Sequence, residues 1–123
     1  MKNEWAHDIK AGLNKYRAEV LPLIAEGSYG SASMELLNVI NSLEDGYKKM
    51  RRNSIKIFTQ GLLARFMVLH DTCFKDHDSE NIKNYVRSDL ELIEERIKFV
   101  DFGVDAALKA EAEQNGEQYQ QGL

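Results

Sequence analysis

Between Val86 and Ala107 the chain places an apolar residue every third or fourth position: Val86, Leu90, Ile93, Ile97, Val100, Val104 and Ala107. Steps of four and three average 3.5 residues, so on a helix these side chains share one stripe. A strand would scatter them over both faces, because strand side chains alternate with period two. Ile82 extends the stripe upstream, and Glu91, Glu94, Glu95 and Lys98 fill the outside. Such a stripe must be covered, and at this period the cover is another helix packed at a shallow angle. Gly103 weakens the helix by about 1 kcal/mol relative to alanine without interrupting the pattern.

The same spacing recurs upstream. Trp5, Ile9, Leu13, Tyr16, Val20 and Leu23 predict a helix from about Asn3 to Glu26, in which Pro22 should bend the last turn or mark its end. Gly27-Ser28-Tyr29-Gly30 is the clearest break, with Ser31 or Ser33 available to cap the next helix. Leu36, Ile40, Leu43, Tyr47 and Met50 then predict a helix to about Arg52. Ile55, Phe58, Leu62, Phe66, Leu69 and Cys73 form a further stripe, offset across residues 51–54. Two readings fit the offset: a helix that ends and restarts at Asn53 or Ser54, or one long helix whose apolar face rolls at a stutter. The break is favoured. Lys75 to Ser79 reads as a polar turn, with Asp78 or Ser79 as N-cap.

With no convincing strand and short connections, the expected fold is all-α: an elongated antiparallel bundle of three or four long helices with heptad-like packing. A length of 123 residues suits one domain, assigned to 1–113, with 114–123 as a polar C-terminal tail in which Tyr119 and Leu123 are the only anchors. The single cysteine, Cys73, rules out an intramolecular disulfide. No apolar run reaches the ~18 residues of a membrane span, and the first residues lack a signal-peptide h-region. A cytoplasmic location is therefore expected.

The net charge of −4 is unevenly spread: residues 1–75 carry +3 and residues 76–123 carry −7. The two parts can satisfy each other inside one bundle, or steer a charged partner. Lys48, Lys49, Arg51, Arg52 and Lys56 are the densest basic cluster. On one helix Lys48, Arg52 and Lys56 would form a ridge at i, i+4 and i+8. Such a ridge can neutralise phosphates of a nucleic acid or nucleotide, or pair with the acidic C-terminal helix. Glu91, Glu94 and Glu95 form the matching acidic interaction face.

His70, Cys73 and His77 stand at i, i+3 and i+7, a spacing that could present imidazoles and a thiolate to zinc, with His7 or Asp8 completing the set. Against this, Cys73 continues an apolar stripe, where a thiol behaves as a small hydrophobe. No metal and no cofactor is expected. Arg65-Phe66-Met67-Val68-Leu69-His70 resembles the Arg-x4-6-His motif of HEPN ribonucleases, helical bundles of similar size. That resemblance implies RNA cleavage by the Arg65–His70 pair at a helical dimer interface. The family's residue after the arginine is typically polar; here it is Phe66. Gly27-Ser28-Tyr29-Gly30-Ser31 lacks the lysine and preceding strand of a P-loop, and the Glu94-Glu95 pair lies on a charged helix face, which leaves general acid–base work unsupported.

No catalytic residue is assigned. The expected function is that of a non-enzymatic protein-interaction module: a small regulator, adaptor or inhibitor occupying a partner's surface, with a homodimer as a further arrangement. The alternatives are phosphate binding through residues 48–56 and, after it, a HEPN-like ribonuclease or metal-binding protein.

Overall fold

The structure is a computed structural model that describes residues 3–51 and 54–116. Its helices are α1 (Glu4–Lys15), a π turn (Tyr16–Val20), α2 (Leu21–Ala25), α3 (Tyr29–Lys49), α4 (Ser54–Lys75) and α5 (Ile82–Gln114), with no strand among the described residues. Helical backbone angles at Tyr16 and Leu21 join the first three elements into one rod, so the bundle has four rods.

The π turn ends at Val20, two residues before Pro22. Proline has no N–H for the Ala18 carbonyl, and its ring crowds that oxygen; a widened turn accommodates both faults. The rod therefore passes through Pro22 and stops one turn later. Its stop is a glycine requirement. Gly27 has φ 81°, the Gly27 N–H donates to the Ile24 carbonyl (3.0 Å), and the Ser28 N–H donates to the Leu23 carbonyl (2.8 Å). This paired closure needs a left-handed residue, which glycine adopts without a steric penalty. Ser28, rather than Ser31 or Ser33, stands at the start of α3; the Ser33 hydroxyl donates to the Gly30 carbonyl from inside the helix. At α5 the cap position is Asn81, whose N–H donates to the Ser79 hydroxyl (3.2 Å).

Between α3 and α4 the helix ends and restarts. Met50 is extended (φ −71°, ψ 138°) yet its side chain is buried, so the apolar stripe turns the corner on that residue. α5 runs to Gln114, with Leu108, Glu111 and Ala112 buried beyond the stripe read from the sequence. Tyr119 and Leu123 lie outside the described residues.

Neighbouring rods are antiparallel. α1 packs on α3, α3 on α4, α4 on α5, and α5 returns to α1, which leaves α1 and α4 on opposite corners. At 1.5 Å per residue, the 33 residues of α5 span about 50 Å. The stripes meet in the middle: Ile9, Leu13, Tyr16, Val20, Leu36, Leu43, Leu62, Phe66, Leu69, Ile93, Ile97 and Val100 are all fully buried or nearly so. Phe58 departs from the expected stripe. It is 40% exposed, and Thr59 takes the inward position with its hydroxyl donating to the Ile55 carbonyl (2.7 Å).

Candidate interaction surfaces

The α1 corner is closed by polar contacts. On its α5 side, Lys10 Nζ meets Asp105 Oδ1 at 3.1 Å, Arg17 pairs with Asp101, and His7 Nε2 lies 2.9 Å from Glu111 Oε1. The Asn3 backbone N–H donates to Glu111 Oε2 (2.8 Å) and its side-chain amide to the Ala107 carbonyl (3.0 Å). On the α3 side, Lys49 Nζ donates to Asp8 Oδ2 (2.7 Å), and Lys15 reaches Glu35 at 3.6 Å. Exposed and partly exposed pairs of this kind add little to stability, so their effect is mainly to set register. Here the basic first part of the chain does meet the acidic last part. The cations that do so include His7, Lys10 and Arg17, whereas Lys49 of the 48–56 cluster turns to α1.

The opposite corner is bare. Among the described residues, ten large apolar side chains are notably exposed, and all belong to α3, α4 or α5: Met34, Leu37, Ile57, Phe58, Met67, Val68, Phe74, Tyr85, Phe99 and Phe102. Five come from α4, which is apolar on its outward side as well as its core side. Ile57, Ala64 and Val68 follow one another at i, i+7 and i+11 along that outward side. Phe58 stacks on Phe99 of α5 with ring centroids 5.1 Å apart and planes 12° from parallel, which joins the α4 and α5 parts into one face. At about 150–250 Å² per whole aromatic side chain, the five exposed aromatics alone leave about 400–700 Å² open.

A third feature is a groove of about 920 Å³ between the end of the first rod and the N-terminal half of α5. Ion pairs hold α1 to α5 only from Asp101 onward, and the helices stand apart before that point. Ile24, Val86 and Leu90 contribute the apolar lining, and Lys83, Arg87 and Lys98 the basic groups. Glu91, Glu94 and Glu95, expected to form one acidic face, are exposed along this groove, mixed with those cations. Tyr16 is fully buried, and its hydroxyl finds no hydrogen-bond partner among the described residues. Burial first, and the Glu94 carboxylate second, push its pKa well above the ordinary phenol value.

The basic cluster does not form the expected ridge. Lys48 and Lys49 end α3, Arg51 lies in the exposed link, Lys56 belongs to α4, and Arg52 lies outside the described residues. A single-helix row at i, i+4 and i+8 requires a continuous helix, and the extended Met50 ends it. Lys56 Nζ instead sits 5.0 Å from the Tyr47 ring centroid and donates to the Met50 carbonyl (3.4 Å), bracing the corner.

Arg65 and His70 also part company, since five residues turn a helix by about 140° beyond a full circle. Arg65 acts on Asp89 of α5, whereas His70 stacks on Phe74 (centroids 6.0 Å) and contacts Asp71 Oδ1 (3.3 Å). Phe66, the apolar residue following the arginine, is a core side chain. His77 falls in the turn after α4, where Nδ1 donates to the Phe74 carbonyl (2.9 Å). Cys73 points inward, and among the described residues no three His, Cys, Asp or Glu side chains converge.

Burial, and secondarily the Asp89 carboxylate, push the Cys73 thiol from an ordinary 9.0 up to about 11. Iodoacetamide should therefore leave Cys73 unmodified in the native chain at mildly alkaline pH and label it fully in denaturant, as read by mass spectrometry. Between pH 9.0 and about 11 the unfolded thiol loses a proton that the folded one keeps. Stability therefore falls across that window as pH rises.

Among the described residues, no helix is long and apolar enough to cross a membrane. Fold and surface together define a four-helix bundle with one internally bonded corner and one bare apolar corner. Comparison with protein-family models, curated proteins and solved structures finds no match.

Proposed function

We propose that this protein is a non-enzymatic interaction module that docks on a protein surface through the face centred on α4. One observation carries the reading: among the described residues the exposed large apolar side chains are confined to α3, α4 and α5, while α1, diagonally opposite, is tied inward by ion pairs. Exposed apolar groups cost free energy in water, about 25 cal/mol per Å², and a face of several hundred Å² is relieved by a partner. Aromatic and methionine side chains are the types enriched at interface centres.

The test is affinity capture with the full chain and with an Ile57→Asp/Phe102→Asp double variant, with each captured protein then titrated against both. These two side chains are the most exposed of the α4 and α5 parts, at 71% and 79%, so substitution leaves the core intact. A partner bound by the parent chain and weakened at least tenfold by the variant supports the face. Equal binding by both chains would rule it out.

A further inference from the structure

Resting on that reading, we infer that the outward side of α4 seats a single amphipathic helix of another protein, with carboxylates along its edge toward α5. The first argument is spacing. Ile57, Gly61, Ala64 and Val68 step by four, three and four along the solvent side of α4. Ile57 is 71% and Val68 45% exposed, and Ala64 between them is exposed as well. These four positions are a second seam of the same period as the core stripe, on the other side of one helix. Asp71 and Lys75 take the next two positions and end it. The apolar part is three turns long, about 17 Å, which one short helix covers. Its two ends are branched and its middle is small. At Gly61 an added Cβ would have Arg96 Nε, at 3.8 Å, as its nearest neighbour. An incoming helix can therefore lower one long apolar side chain between Ile57 and Val68.

The second argument is charge. Two guanidinium groups border the seam on its α5 edge. Arg96 reaches over from α5 to Gly61, and Arg65 follows Ala64 on that edge, where it acts on Asp89. Neither arginine closes an ion pair among the described residues. Arg96 spends one donor on the Leu92 carbonyl (3.3 Å), and Asp89 accepts from the Thr72 hydroxyl (3.2 Å). Helix α4 as a whole carries three basic residues, Lys56, Arg65 and Lys75, against the single acidic Asp71. Guanidinium forks hold carboxylates with two donors at once, so glutamates flanking the apolar row of the incoming helix match this edge.

The experiment is fluorescence anisotropy of two labelled peptides, each titrated with the full chain. Both have three heptads with leucine at the seam positions; the flanking positions are glutamate in one and lysine in the other. Like charges at those positions keep each peptide from pairing with itself. The glutamate peptide is expected to bind about tenfold more tightly than the lysine peptide, and less tightly as salt is added. Ala64→Gln fills the middle of the seam without a change of charge, and should weaken the glutamate peptide about tenfold with helical circular dichroism unchanged. No binding, equal binding of the two peptides, or indifference to Ala64→Gln overturns the inference. In that event a protein captured by the parent chain and released by Ile57→Asp/Phe102→Asp still upholds the wider interaction face. A captured protein indifferent to that double substitution removes both.

Discussion

Phe66→Ala is expected to destabilise the fold by about 3–5 kcal/mol, because the ring is fully buried and its removal leaves a hole that long, stiff helices fill poorly. The ring meets Tyr16 edge to face, with centroids 4.9 Å apart and planes at 68°, so the cavity opens between the two diagonal rods α1 and α4. Domains of this size hold about 5–15 kcal/mol in total. The melting temperature should fall by roughly 10–20 °C in a thermal melt followed by circular dichroism. Phe66→Leu, which retains most of the volume, should cost much less. A melting point within a few degrees of the parent for Phe66→Ala would mean that the diagonal contact is not part of the core.

The second large effect is expected at Gly46. A Cβ built there would sit 2.7 Å from Ile9 Cδ1 and 2.8 Å from the Trp5 carbonyl oxygen. The Ile9 side chain can swing aside; the Trp5 backbone cannot move without displacing α1. Gly46→Val should therefore cost about 3 kcal/mol or more, and Gly46→Ala less, since alanine recovers up to about 1 kcal/mol of helix propensity. Gly61 provides the contrast. It lies inside α4 with Arg96 Nε, at 3.8 Å, as the nearest neighbour of an added Cβ, so Gly61→Ala should stabilise by about 0.5–1 kcal/mol. Chemical denaturation of the three variants reads the sign directly. A neutral Gly46→Val would show that α1 and α3 are free to move apart.

Much of the core was legible because helical periodicity is a local property. Ile9, Leu13, Leu36, Leu43, Ile93, Ile97 and Val100 are buried where their spacing puts them. Phe58 was misplaced for an identifiable reason. α4 is apolar on two sides, so period alone does not say which side faces the core, and Phe58 and Thr59 exchange the expected positions. The excess of apolar residues off the stripe (Ile57, Met67, Val68 and Phe74) was the available sign of a second, outward face. The basic ridge failed differently. Its geometry needed an unbroken helix through Met50, and one extended residue divides the cluster between two rods and a link.

From residue order alone came what depends on neighbours three or four positions away: three or four helical rods, the glycine stop after α2, and the buried member of nearly every turn. The ring order of the rods was decided only by tertiary packing, since it depends on which stripes cover one another. That order brings His7, Lys10 and Arg17 to the acids of α5, and it leaves the outward side of α4, diagonally opposite α1, uncovered. A helix with two apolar sides in a ring of four has one more face than its neighbours can cover, and that surplus is what the proposed partner takes up.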